Sequence, residues 1–124
     1  MIVGVGIDMI ETDRVAEKIG KNRGFREKVF SKHEIAFCES KKNKYENYAA
    51  RFAAKEAFLK ATGFGLTLGH QLSEIEIDND DNGKPMINLK GDFRTKSSEN
   101  HWNKIHLSIS HLHNIACAVV ILEQ

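Results

Sequence analysis

The chain has 124 residues, which suits one domain over residues 1–124, and its 41% hydrophobic and 28% charged content is ordinary for a globular protein. No apolar run approaches the roughly 20 residues of a membrane span, and a net charge of +1 argues against a nucleic-acid partner. The opening run lacks the basic start of a signal peptide, so we expect a cytoplasmic protein in which Cys38 and Cys117 stay unpaired.

The first predicted element is a buried strand over the apolar run from Ile2 to Ile7. Alternation along this strand separates an apolar face from a second face, with Val3, Val5, Ile7 and Met9 on the first and Gly4, Gly6 and Asp8 on the second. Two glycines beside a carboxylate leave a gap that admits either a ligand or a closely packed helix. Alone, Asp8 would equally suit a turn at the end of the strand.

A basic segment follows, in which residues 11–13 are typical of a helix start and predict a helix from about Arg14. Between Arg14 and Lys28 there are six basic residues and two acidic ones. Arg14, Lys18 and Lys21 share one helical face through their i, i+4, i+7 spacing. Such a face is ordinarily solvated surface, but it can also attract an acidic partner.

Two helices are predicted next. A capping box at residues 31–34 opens a short helix, and a charged break at residues 41–44 separates it from a long helix over Tyr45 to Thr62, which Gly63 ends. Phe52, Glu56 and Lys60 follow one another at i, i+4, i+8 and share a face of this long helix. Considered alone, they are explained by an i,i+4 ion pair worth a few tenths of a kcal/mol.

The remaining segment completes an α+β pattern. Glycines at 63, 65 and 69 mark a mobile loop, and a hairpin is predicted from strands at 74–78 and 85–89 around a turn at 79–83. A helix over 93–101 and strands at 104–110 and 115–122 follow. We therefore predict a single small α+β domain, with an antiparallel sheet packed against a long central helix and shorter helices.

Three further patterns in the sequence resemble functional motifs but are better explained as ordinary structural features. The run from Asp78 to Gly83 begins like a calcium loop, but Leu89 stands where a bidentate glutamate is required. The glycines at 63–65 follow a helix rather than a strand, which excludes a dinucleotide fingerprint and a P-loop. His111 and His113 lack a second ligand pair at zinc spacing, so a polar turn explains them.

The first strand and the long helix each offer one carboxylate, Asp8 and Glu56, with Lys60 one helical turn further on. Two hard oxygen ligands from distant parts of a chain suit Mg²⁺, which keeps several waters and usually shares its site with substrate phosphates. Lys60 would balance the charge of such a phosphate. These three residues are therefore the candidate catalytic group, and the two carboxylates are the candidate metal ligands.

The same residues carry a resemblance to a known family. Gly6-Ile7-Asp8 with Arg14, and the run Arg51 to Ala61, resemble the two signature motifs of the 4'-phosphopantetheinyl transferases, above all of the short-form holo-(acyl-carrier-protein) synthases. The similarity continues at residues 82–85 and 107–111 and so covers essentially the whole chain. It implies that family's fold and the Mg²⁺-dependent transfer of 4'-phosphopantetheine from coenzyme A to a serine of apo acyl carrier protein, which releases adenosine 3',5'-bisphosphate.

The resemblance also implies roles for individual residues. Asp8 and Glu56 would hold Mg²⁺ and act with Lys60, and the proton of the carrier serine would leave through Glu56 or a metal-held water. Coenzyme A would contact a set from several elements, namely Arg51, Lys55, Lys60, Gly63, Gly65, Pro85, Ser110 and His111. The acidic carrier protein would dock on basic and aromatic residues, namely Arg14, Lys18, Lys21, Phe25, Lys28 and Phe52.

One departure and one alternative remain. Ile10 stands where larger members of the family carry a second acidic residue, so water would take that coordination place and the general base stays open. The short form resembles half of a larger enzyme, which implies a homotrimer with active sites between subunits.

The alternative function is that of a non-catalytic module that binds coenzyme A or an acidic protein through the basic helix. Asp8 and Glu56 count against it, because without a metal they would repel a pyrophosphate.

Overall fold

The computed structural model describes residues 1–64 and 71–124. In chain order its elements are β1 (Ile2–Glu11), α1 (Thr12–Lys21), α2 (Phe25–Val29), α3 (Lys32–Glu39), α4 (Lys44–Thr62), β2 (Ile75–Asn79), β3 (Pro85–Leu89), α5 (Gly91–Glu99), β4 (Lys104–His111) and β5 (Ile115–Glu123). The predicted α+β class, with an antiparallel sheet against a long helix, is confirmed. The predicted loop around Gly65 and Gly69 lies outside the described residues.

The strands form two antiparallel sheets. The larger one has the order β1-β5-β4, and β2 and β3 pair separately as a hairpin. Helix α4 lies across one face of the larger sheet, mainly against β1 and β5, and the other helices surround it. We call the face that contacts α4 the inner face and the opposite one the outer face.

Strand β1 fits closely against α4 because its inner face carries glycine. A Cβ atom added at Gly4 would lie 2.0 Å from the carbonyl oxygen of Ala61, and one added at Gly6 would lie 1.9 Å from that of Ala57. Only a residue without a side chain fits there. The gap beside Asp8 is therefore filled by a helix, which settles the alternative that the sequence left open.

The apolar face of β1 is the outer one, so the prediction of a buried strand was wrong for these side chains. Val3, Val5, Ile7 and Met9 are 40–63% exposed. The strand also runs on to Glu11 in register with β5, so Asp8 lies inside the strand, opposite Ala118, and not in a turn. The apolar pattern indicates which residues share a face, but it does not indicate what covers that face.

The basic segment is divided between two helices. Helix α1 ends at Lys21, and Gly24, with φ of 86°, starts the separate helix α2 at Phe25. A positive φ suits glycine and breaks a continuous helix. Cys38 is buried and Cys117 is half-buried, and both are unpaired, as expected. None of the helices within residues 1–64 and 71–124 has the length and apolarity required to cross a membrane.

Candidate active site

The register between β1 and α4 places Asp8 beside the predicted motif. Gly4 lies against Ala61 and Gly6 against Ala57, so each two-residue step along the strand moves about one turn back along the helix. Asp8, two residues further along the strand, lines the same cleft as Phe52 and Glu56 of the helix. The Nζ atom of Lys60 donates to Asp8 Oδ1 at 3.0 Å, so the strand and the helix are also joined by an ion pair.

Glu56 is half-buried and lies close enough to Asp8 for the two carboxylates to interact. Burial raises the pKa of Glu56, the negative charge of Asp8 raises it further, and Lys60 and Lys18 partly oppose the shift. A cation beside both carboxylates would relieve this repulsion. Asp8 and Glu56 are therefore suited to hold a divalent metal ion.

The donor set fits Mg²⁺ in particular. Within the described part of the chain, no group of three or more His, Cys, Asp and Glu side chains is arranged to hold a metal. A site with only Asp8 and Glu56 leaves most coordination positions to water and substrate oxygens, which is how proteins usually bind Mg²⁺. Ile10 shares the inner face with Asp8 and offers no third oxygen, as the sequence indicated.

The two candidate metal ligands and part of the expected docking set line the same cleft. This cleft has a volume of about 520 Å³ and is formed by Asp8, Met9, Ile10, Glu11, Arg14, Lys18, Phe52, Glu56 and Ile115. Helix α1 thus presents its basic side chains directly beside the carboxylate pair. A macromolecule bound to α1 would have its reacting group close to Asp8 and Glu56.

Aromatic rings support the basic side chains at this cleft. The Nζ atom of Lys18 lies 5.6 Å from the ring centre of Phe52 and 5.9 Å from that of Phe25, and the two rings are 6.2 Å apart. Lys21 pairs with Glu17 at 2.8 Å on the exposed side of α1, and Lys28 is exposed on α2. Residues from α1, α2 and α4 thus form one basic and aromatic surface.

Lys55 departs from its predicted role as a contact of coenzyme A. Its side chain is 0% exposed, and Nζ donates to Glu34 Oε1 at 2.8 Å and to the carbonyl oxygens of Leu72 and Ile75 at 2.9 and 2.6 Å. An ammonium has three N–H donors, so all three are used inside the protein. Burial lowers the pKa of Lys55, and Glu34 opposes that shift. Lys55 is a structural residue within this chain.

Arg51 is also largely enclosed. It is 4% exposed, its Nη2 donates to Asn79 Oδ1 at 3.0 Å, and its guanidinium lies 4.0 Å from the ring centre of Phe37. Its Nε atom has no partner among the described residues. Arg51 thus supports the end of β2, while Pro85 begins the paired strand β3.

Two other residues of the predicted coenzyme A set lie apart from the carboxylate pair within one chain. His111 Nδ1 is 3.5 Å from Glu46 Oε1, and Glu46 is ten residues before Glu56, or about 15 Å along α4. Ser110 lies on the outer face of the sheet, opposite the face that carries Asp8. Gly63, with φ of 77°, ends α4 as predicted, and Gly65 lies outside the described residues.

Sequence reasoning missed two acidic residues that organise these contacts. Glu34 was identified only as part of a capping box, and nothing in its spacing links it to Lys55, which lies 21 positions away. Glu46 contacts both His111 and His113 at the edge of a second cavity of about 730 Å³. This larger cavity is not lined by the carboxylate pair, so the smaller cleft is the candidate active site.

Comparison with known proteins identifies the family. Residues 4–120 match the model of the 4'-phosphopantetheinyl transferase superfamily. The chain belongs to this superfamily. A holo-(acyl-carrier-protein) synthase of Halothermothrix orenii is 40% identical over 125 residues, covering 100% of this chain and 99% of the relative. The corresponding synthase of Syntrophus aciditrophicus is 42% identical over 124 residues, covering 99% and 97%.

Solved structures of such transferases have the same fold. The Bacillus anthracis holo-(acyl-carrier-protein) synthase in complex with CoA (3',5'-ADP) has a TM-score of 0.81 at 37% identity, covering 98% of this chain and 96% of that one. The Neisseria meningitidis synthase has a TM-score of 0.91 at 27% identity and is matched over 100% of both chains. The family resemblance drawn from the motifs is therefore confirmed.

Proposed function

We propose that this chain is a holo-(acyl-carrier-protein) synthase, which transfers 4'-phosphopantetheine from coenzyme A to a serine of an apo acyl carrier protein. Its full-length relatives carry this name, and the related Bacillus anthracis enzyme binds coenzyme A. The observation that carries the proposal is the group of Asp8, Glu56 and Lys60 beside the basic helix α1. The products are the holo carrier and adenosine 3',5'-bisphosphate.

Asp8 and Glu56 would hold Mg²⁺. When bound, this ion supplies positive charge that neutralises the diphosphate of coenzyme A and the charge that develops on the leaving group. The contribution of the protein is to keep the two carboxylates together through the β1–α4 contact and to leave the other coordination positions open.

The remaining groups of the chain position the reactants and move a proton. The serine oxygen of the carrier attacks the phosphorus on the pantetheine side, and the P–O bond to adenosine 3',5'-bisphosphate breaks. Lys60 is more than half exposed and lies one turn beyond Glu56, so its ammonium can donate to the departing phosphate. The serine proton leaves through Glu56 or a metal-held water, since Glu56 lines the cleft in which the serine must arrive.

The basic and aromatic surface is where we place the acyl carrier protein. Arg14 and Lys18 line the cleft itself, and Phe25 and Phe52 provide apolar contact beneath them. A cationic surface attracts an acidic partner and fixes its orientation before contact. Lys21 and Lys28 extend this surface along α1 and α2.

We also propose that the enzyme is a cytoplasmic homotrimer of one-domain subunits. The outer face of the sheet exposes four apolar side chains of β1, which is typical of a protein–protein interface. Ser110 shares this outer face. Association over the outer face would place Ser110 at the contact between subunits, where the family resemblance implies that coenzyme A binds.

The enzymatic proposal is tested by mass spectrometry of apo carrier protein incubated with coenzyme A and Mg²⁺. The wild type should add one phosphopantetheine group. Glu56→Gln should lose at least about a hundredfold in rate, because it removes the charge of a metal ligand beside the reacting groups. Glu99→Gln, the same change at an exposed position on α5, should keep the wild-type rate. Unchanged conversion by Glu56→Gln would remove Glu56 from the chemistry, and an inactive wild type would favour the binding module.

The docking surface is tested by reversing its charge. Arg14→Glu with Lys21→Glu should raise KM for the carrier, leave KM for coenzyme A unchanged, and weaken the salt dependence of the rate. Lys32→Glu with Lys41→Glu changes the net charge equally at exposed positions outside this surface and should leave the carrier KM as it was. If both double variants behave alike, the carrier binds elsewhere.

A further inference from the structure

The ammonium of Lys60 is hydrogen-bonded to Asp8, one of the two carboxylates that would hold the metal. Its Nζ donates to Asp8 Oδ1 and to the carbonyl oxygen of Ile7, both at 3.0 Å. The Asp8 side chain is only 16% exposed, whereas that of Lys60 is 57% exposed. Because the ammonium holds Oδ1 and repels a second cation at the same carboxylate, it opposes metal binding at this position.

We propose that Lys60 is the resident counterion of Asp8 in the free enzyme, that it must leave when the metal binds, and that the diphosphate of coenzyme A draws it away. This inference rests on the proposed function, since it requires a metal at Asp8 and Glu56. Its consequence is that metal and coenzyme A bind cooperatively and that the free enzyme has a low affinity for metal.

The electrostatics of the cleft explain why the free enzyme needs such a counterion. Two neighbouring carboxylates, one of them half-buried, repel each other unless a positive charge lies between or beside them. Lys18 is the other cation that acts on Glu56, but its Nζ lies over the rings of Phe25 and Phe52. Among the hydrogen bonds of the described residues, only Lys60 donates a charged N–H to Asp8.

The surroundings of Lys60 allow the exchange. Its side chain is exposed in the last turn of α4, and a lysine has a flexible four-carbon stem. Lys55, five residues earlier on the same helix, is enclosed with three acceptors and cannot move in this way. A diphosphate offers Lys60 new charge-assisted hydrogen bonds, so leaving Asp8 costs little when coenzyme A is present.

The exchange couples the two binding equilibria. If coenzyme A increases the affinity for metal by releasing Asp8, metal must increase the affinity for coenzyme A by the same factor. Part of this factor comes from direct contact between metal and diphosphate, and Lys60 supplies the rest. Removing the charge of Lys60 should therefore change the coupling in a defined direction.

The test measures Mn²⁺ binding to metal-free protein, by calorimetry or electron paramagnetic resonance, without carrier protein. In the absence of coenzyme A, Lys60→Met should bind Mn²⁺ about fivefold more tightly than the wild type, the effect of one such ion pair. Lys32→Met loses the same net charge at an exposed position on α3 and should bind as the wild type does. Lys60→Gln should behave like Lys60→Met.

Repeating the titrations with saturating coenzyme A gives the coupling factor, which should be smaller in Lys60→Met than in the wild type. Mn²⁺ affinity in Lys60→Met that is equal to or weaker than that of the wild type would overturn the counterion role. Asp8→Asn separates this outcome from a failure of the proposed function. If Asp8→Asn binds Mn²⁺ like the wild type, the metal site itself is wrong. If it loses binding while Lys60→Met is unchanged, only the counterion role is wrong.

Discussion

Two lysines on α4 belong to one short motif and have opposite surroundings. Lys55 is enclosed and paired with Glu34, whose carboxylate also accepts from the backbone N–H groups of Ser31 and Ile77. Lys60 is exposed and pairs with Asp8 at the cleft. The first lysine joins α3, α4 and the start of β2, whereas the second is free to exchange partners. Residue type and motif membership therefore do not determine the role of a lysine, but its burial and its acceptors do.

The enclosed ion pair predicts a large effect on stability. Lys55→Met removes the charge that compensates Glu34, so the free energy of unfolding should fall by about 3–5 kcal/mol in denaturant titrations. Adding Glu34→Gln removes the uncompensated charge and should recover part of this loss, although one backbone N–H then loses its acceptor. A double variant less stable than Lys55→Met would show that charge burial is not the cause.

At the scale of elements, the close contact between β1 and α4 sets the geometry of the site. The bare backbone at Gly4 and Gly6 meets the backbone of the helix at Ala61 and Ala57. The same contact fixes where Asp8 stands along α4. A shift of a few tenths of an ångström at this contact would therefore change the distance between the two carboxylates.

Adding one methyl group at this contact should both destabilise the protein and weaken metal binding. Gly6→Ala would place its Cβ 1.9 Å from the carbonyl oxygen of Ala57, so strand and helix must separate, at a cost of about 3 kcal/mol in the free energy of unfolding. Gly20→Ala is the matched control, because no atom lies within 4 Å of the added Cβ and alanine favours the helix there. Similar unfolding midpoints for the two variants would contradict this role of Gly6.

The sequence predicted most elements because their signals are local. The long helix has a glycine stop at Gly63, and the strands alternate or are apolar throughout. The orientation of β1 could not be predicted, since alternation separates two faces without telling which one meets a helix. The break at Gly24 and the partner of Lys55 were missed for related reasons. The first depends on one backbone angle, and the second on a contact between distant positions.

The outer face of the larger sheet exposes a row of apolar side chains. Beside the four exposed apolar residues of β1 lie half-buried residues of β5, with Ile7 paired to Val119 and Met9 to Cys117. Single exposed apolar residues are common on proteins, but a continuous row across two strands is typical of an interface. This surface is the basis for the proposed trimer.

A charge in this row should separate the subunits. Ile7→Lys should change the mass measured by sedimentation from three times 14.0 kDa to a single subunit, because an ammonium would be buried without a partner. Transfer activity should fall with it, if neighbouring subunits complete the coenzyme A site. Met86→Lys is the control, since Met86 is exposed on the separate hairpin. A wild type that sediments as one subunit would refute the trimer.

The uncovered row on β1 also bears on how the protein is produced. In the described sheet β1 pairs only with β5, so a newly made subunit presents apolar side chains beside an unpaired strand edge. That combination favours disordered self-association over the specific encounter of subunits. If subunits are synthesised faster than they assemble, the protein should accumulate in inclusion bodies. Slow expression at low temperature should increase the soluble yield.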